Sequence, residues 1–213
     1  GSLEYSSVGD FSSCVVLFKK QDEYAFKTFN YAIKDSCDAN YGYSLKEELV
    51  GTGKRAPIKK WEKMGLMEVV DEPSLNPKHI INWFLKAREE YGVRTIVIDN
   101  YKSDIIAPLL EKEDFEVIRL RRPQNLHPLL APRVEDSFAN HKIIFGDNPL
   151  MRWFTNNVYV KETNDGKKFL KKEEVKRKTD GFQAFIHALY KANELDDQVD
   201  YDEAFDMLDE LDF

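Results

Sequence analysis

Between Thr95 and Asp99 the chain reads Thr-Ile-Val-Ile-Asp, four β-branched residues in a row and then an acid. Such side chains are stiff and favour extended backbone. A run of them without polar alternation fits a strand covered on both faces. A strand of that kind needs helices around it, and the flanking sequence supplies them. Asn76-Pro77 makes a cap and first-turn pair, Ile80, Ile81, Phe84, Leu85 and Ala87-Arg88 fall at helical spacing, and Gly92 provides the stop. Ser103 caps a second helix through Leu110, and Phe115 to Leu120 gives a further strand. Helix, strand, helix, strand is the alternation of a parallel sheet.

The N-terminal part is different. Leu3-Glu4-Tyr5, Cys14 to Phe18 and Tyr24 to Tyr31 predict an antiparallel meander of three strands, broken by Ser6-Ser7-Val8-Gly9-Asp10 and by polar Lys19 to Glu23. Residues 32–56 are mixed and turn-rich, and Pro57 to Met64 predicts a short helix stopped by Gly65. Leu126 to Asn140 is largely helical despite Pro128 and Pro132. Val158 to Lys161 and Lys168 to Leu170 flank Asn164-Asp165-Gly166, a hairpin signal. Thr179 or Asp180 then opens a helix with Phe182, Phe185, Ile186 and Leu189 on its apolar face. The expected class is α/β or α+β, a mixed sheet with an antiparallel start and then parallel strands, flanked by α-helices.

With 213 residues the chain suits one ordinary domain with at most an appendage. Two cysteines, Cys14 and Cys37, exclude a disulfide scaffold and a four-thiolate zinc site. No apolar run approaches the ~18 residues of a membrane span, and no basic-then-apolar signal opens the chain, which points to a reducing, intracellular setting. The net charge of −7 misleads, because residues 194–213 hold ten Asp or Glu and no Lys or Arg. The rest carries 31 basic and 28 acidic residues, about +3, so nucleic acid is not excluded by the overall charge. The expected division is a domain over 1–193 and an acidic tail over 194–213. Tyr201, Ala204, Phe205, Leu208 and Leu211 lie at helical spacing in that tail, which reads as a partner-binding helix, a DNA mimic that restrains the basic residues, or a solvated terminus.

Three acids stand at structurally special places: Glu4 at the end of the first strand, Asp99 at the end of the buried strand, Asp180 at the start of the late helix. Carboxylates gathered from such ends suit hard cations such as Mg²⁺ and Mn²⁺. Singly, each has a plainer explanation: Asp180 as an acid favoured by the helix dipole, Asp99 as a turn former, Glu4 as a solvated surface acid. Lys167, Lys168, Lys171, Lys172, Lys176, Arg177 and Lys178 form a basic cluster just upstream of Asp180, either a finger for phosphate contacts or a solubilising hairpin. Gly51-Thr52-Gly53-Lys54-Arg55 lacks the spacing of a Walker A loop. The four histidines (79, 127, 141 and 187) form no i, i+4 pair for zinc, and there is no G-x-S-x-G elbow.

Phe138 to Trp153, with Gly146-Asp147-Asn148-Pro149 at its centre, then Thr155-Asn156-Asn157-Val158-Tyr159-Val160 and Arg177-Lys178-Thr179-Asp180-Gly181-Phe182, resemble the nuclease domain of the large terminase subunit of tailed bacteriophages. Leu3-Glu4-Tyr5-Ser6-Ser7 through Asp10-Phe11 is similar to that family's first-strand element and Ile96-Val97-Ile98-Asp99-Asn100 to its second acidic strand. The similarity runs over most of residues 3–193. It implies an RNase H/RuvC-like fold with a β-hairpin inserted before the last catalytic helix, and a metal-dependent endonuclease that cuts concatemeric double-stranded DNA by two-metal-ion hydrolysis with low sequence specificity. Glu4, Asp99 and Asp180 match the family's catalytic acids, with two Mg²⁺ or Mn²⁺ ions as cofactors and Asp10 and Asp147 as further candidate ligands. The family usually has Asp where this chain has Glu4. The implied partners are DNA, an upstream packaging ATPase domain that this chain lacks, the portal and the small terminase subunit. No membrane is implied, and the setting is the host cytoplasm. Rival expectations are a structure-selective RuvC or RNase H type nuclease and a non-catalytic docking module of the packaging motor.

Overall fold

The computed structural model describes residues 1–45, 56–100, 103–172 and 177–195. Lys176, the Gly51–Arg55 segment and the acidic stretch from residue 196 onward lie outside them. Three antiparallel strands open the chain: β1 (Ser2–Glu4), β2 (Ser12–Lys20) and β3 (Glu23–Ile33). Helix α1 (Lys34–Tyr41) and helix α2 (Ile58–Lys63) lead to β4 (Met67–Val70), which runs parallel to β3. Helix α3 (Pro77–Tyr91) is capped by the Asn76 side chain, which accepts from the Lys78 N–H at 3.1 Å, and ends at Gly92, whose φ of 67° suits glycine. Next come β5 (Thr95–Asp99), α4 (Ser103–Lys112), β6 (Glu116–Leu120) and α5 (Leu126–Ala139). The last described elements are β7 (Ile143–Ile144), α6 (Pro149–Asn156), the hairpin strands β8 (Val158–Thr163) and β9 (Gly166–Lys171), and α7 (Asp180–Tyr190).

The main sheet has seven strands among the described residues, in the order β4-β3-β2-β1-β5-β6, with β7 added to β3. The three-residue β1 is its pivot. It pairs antiparallel with β2 (Leu3 opposite Cys14, Glu4 opposite Ser13) and parallel with β5 (Leu3 opposite Ile98). The predicted mixed sheet with an antiparallel start and parallel continuation is therefore what forms. The two-stranded β8–β9 hairpin stands apart from it.

Alternation along the strands sorts side chains into two cores. Ile96, Ile98, Cys14 and Val16 meet Ile80 and Phe84 of α3 and Ile106 and Leu110 of α4 on one face. Val15, Phe26 and Val97 meet Leu130 of α5, Phe154 of α6 and Phe182, Phe185 and Leu189 of α7 on the other. Ser2 shares this second face, its hydroxyl donating to the Ala184 carbonyl of α7 at 2.7 Å. Glu4, two residues on from Ser2, and Asp99, two on from Val97, accordingly project on the α7 side of the sheet. Both cysteines are buried and free.

Four elements go beyond those predicted from the sequence. Strands β4 and β7 have four and two residues, too few for alternation to register. Helix α1 sits in the stretch that reads only as turn-rich. Helix α6 is set by Asn148, whose side chain accepts from the Met151 N–H and donates to the Thr28 hydroxyl of β3, both at 2.9 Å.

Candidate active site

The acids come from three elements whose ends meet at one edge of the fold. Glu4 closes β1, Asp99 closes the adjacent β5, and Asp180 opens α7, which packs across β1 and β2. Burial pushes the Glu4 carboxyl well above the usual carboxylate range, and the charges of Asp180, Asp99 and Asp10 push it further. Since Glu4 keeps 23% of its side-chain surface exposed, the gathering of four carboxylates stands beside desolvation as a reason for that direction. Asp180 is pushed up to about 7, by burial first and Asp10 next, against an opposing backbone hydrogen bond and the charges of Lys178 and Lys171. Its Oδ2 is buried without a hydrogen-bond partner.

Asp10 pairs with Lys178, which also donates to the Gly9 carbonyl at 3.3 Å. This clasp ties the loop after β1 to the segment entering α7. Asp147 is not drawn into the group: it contributes to the shift of neither Glu4 nor Asp180, and its carboxylate is paired with Arg152, one turn into α6. Among the described residues, no three His, Cys, Asp or Glu side chains are close enough to grip a metal ion as they stand. The donor set nonetheless suits a hard cation. It consists of carboxylate oxygens, they repel one another, and one oxygen is buried and unpartnered.

The predicted basic cluster is largely engaged within the fold. Lys167 meets Glu135 of α5 at 2.7 Å, Lys168 lies 3.8 Å from Asp165, Lys172 donates to the Asn156 carbonyl, and Arg177 donates to Asn157 Oδ1 at 3.1 Å. Lys171 is exposed and acts electrostatically on Asp180. The hairpin is anchored by His127 at the start of α5. Its Nδ1 accepts from the Phe169 N–H at 3.3 Å and its Nε2 lies 3.0 Å from Gln183 Oε1, the pattern of a neutral ring protonated on Nε2. Burial also holds its pKa below the ordinary histidine value.

Two neighbours of the acids went unread in the sequence. His187 lies two helical turns after Asp180, so spacing along α7 could have found it. Its ring is buried, its pKa is pushed down to about 3, and its unpartnered Nδ1 is 3.7 Å from Glu4 Oε2. Gly181 follows Asp180 where α7 crosses α6, and a Cβ there would come within 2.4 Å of the Phe154 ring and 2.9 Å of Met151 Sδ.

A family model described as the endonuclease domain of the terminase large subunit matches residues 2–196. The chain belongs to this family. No curated protein matches the terminase chain described here. Among solved structures it is similar to the large terminase of bacteriophage HK97, with a TM-score of 0.74 and 14% identity over 90% of this chain. It spans only 38% of that protein's length. It is also similar to the large terminase nuclease from the thermophilic phage G20c in two structures, with TM-scores of 0.56 and 0.54, 12% identity and 89% of this chain covered in each. The chain covers 79% and 78% of those two, and the second contains bound magnesium. At such identities the likeness speaks for a shared RNase H-like fold. The terminase family and that fold are the ones the sequence motifs predict.

Proposed function

We propose that this terminase domain is a divalent-metal-dependent endonuclease that hydrolyses phosphodiester bonds of double-stranded DNA during viral genome packaging. The observation that supports the proposal is that Asp99 of β5 and Asp180 of α7 lie close enough to Glu4 of β1 for their charges to push its carboxyl up. These three would hold two Mg²⁺ or Mn²⁺ ions, with Asp10 at the margin; Asp147, tied to Arg152, takes no part. Bound cations supply the positive charge that activates a water for attack on phosphorus and steadies the departing 3′ oxygen. The magnesium in the G20c nuclease structure accords with this chemistry.

The chain's own groups do the rest. Burial and crowding raise the proton affinity of Glu4 and Asp180, so a cation that binds them competes with protons. Lys171, Lys178 and the β8–β9 hairpin offset the repulsion between the acids and the DNA backbone. Contacts of this kind hold phosphates without reading bases, so cutting has weak sequence preference. In the complete protein a packaging ATPase domain would lie upstream, and the portal and the small terminase subunit would be its assembly partners.

The deciding experiment is plasmid cleavage by Asp180→Asn in Mn²⁺, with circular dichroism to confirm the fold. Loss of cutting by at least about a hundred-fold is expected when an essential ligand is removed. Cleavage at the unaltered rate would overturn the assignment.

A further inference from the structure

Strands β5 and β6 run parallel and in register to their ends, with Asp99 opposite Leu120, and the Asn100 N–H donates to the Leu120 carbonyl at 3.0 Å. The next two residues after Leu120 are Arg121 and Arg122, both exposed. Neither guanidinium makes a hydrogen bond or ion pair among the described residues, in contrast to that of Arg119 just before them, which pairs with Glu111 at 2.6 Å. The hairpin cations are mostly committed to Glu135, Asp165, Asn156 and Asn157. Two adjacent guanidinium groups with no internal partner thus follow directly on the strand end beside a candidate catalytic acid.

The chain then passes through a short 3₁₀ turn, Pro123–Asn125, into α5, where His127 holds the backbone of Phe169 in the hairpin. The β6–α5 loop therefore links the end of the strand beside Asp99 to the hairpin strand carrying Lys168 and Lys171. Guanidinium groups bind phosphate oxygens through paired N–H donors and, unlike the hairpin lysines, these two need break no existing interaction to do so.

We infer that Arg121 and Arg122 form a phosphate-binding step that seats the DNA backbone between the β8–β9 hairpin and the acids. The inference rests on the proposed DNA-cutting function. It makes the β6–α5 loop a site of substrate affinity that takes no part in bond cleavage, so its removal appears in KM and in salt dependence.

The test compares cleavage of a short DNA duplex by the unaltered chain, Arg121→Ala/Arg122→Ala and Arg121→Lys/Arg122→Lys, in Mn²⁺ over a range of salt. The alanine pair should raise KM about ten-fold at low salt and flatten log(1/KM) against log salt by about 0.9 for each phosphate no longer neutralised. Its kcat at saturating DNA and its Tm should not change, and the lysine pair should recover most of the salt dependence. An unchanged KM and slope, or a fall in kcat with KM unmoved, overturns this inference and leaves the nuclease proposal standing. Failure of the unaltered chain to bind or cut any duplex overturns the nuclease proposal and this inference with it.

Discussion

Asp180 depends on a residue with no functional groups of its own. Gly181 lets α7 press onto the Phe154 ring and Met151 of α6, and the added Cβ of alanine would meet a rigid aromatic ring at 2.4 Å. Alanine is the better helix former, so intrinsic propensity favours the substitution by about 1 kcal/mol, and the collision opposes it. Overpacking costs about 1–3 kcal/mol, so Gly181→Ala should lower stability in urea melts and shift the first turn of α7 enough to cut cleavage several-fold. A variant more stable than the parent would show that the helices separate freely. At this scale the sequence was only half legible. Asp180 stands out because it opens a helix after a basic run. The isolation of Asp147 does not show, because it depends on α6 turning Arg152 back onto the carboxylate.

Among the elements, the hairpin's orientation hangs on one imidazole. Neutral His127 receives the Phe169 N–H on one nitrogen and meets Gln183 of α7 with the other, so it links α5, β9 and α7. His127→Ala should speed hydrogen exchange at the Phe169 amide and, on the proposed function, weaken DNA binding about ten-fold as the hairpin lysines lose their alignment, while α7 amides keep their protection. Equal exchange in both proteins would mean that the Lys167–Glu135 pair suffices to hold the hairpin. Long elements were legible: α3 shows its cap, its apolar stripe and its terminating glycine, and β5 its unbroken β-branched run. The insertion of β1 between β2 and β5 was not, because strand order is set by long-range pairing and leaves no local periodicity. A free-standing histidine likewise gives no sign in the sequence that it pins a hairpin.

For the molecule as a whole, the crowded acids link stability to pH and, on the proposed function, to metal. Asp180 has a native pKa of about 7, above its ordinary value of 3.8. Its contribution to stability is therefore complete below about pH 4 and disappears as pH rises through about 7. Metal-free protein should melt lower at pH 8 than at pH 5, by about 2–4 °C for each kcal/mol forfeited. Asp180→Asn should flatten that difference, and Mg²⁺ or Mn²⁺ should raise Tm more at pH 8, where the carboxylates are ionised. A melting temperature indifferent to metal at pH 8 would remove the cation-binding assignment.

The three-residue strand β1 has one last consequence. Glu4 reaches its place only when β1 is held by β2 on one side and β5 on the other, and Asp180 arrives with almost the last helix described. No contiguous fragment shorter than nearly the whole domain contains all three carboxylates. On the proposed three-acid site, a nascent or proteolytically trimmed polypeptide would lack a carboxylate, and cutting power would arrive only when α7 docks.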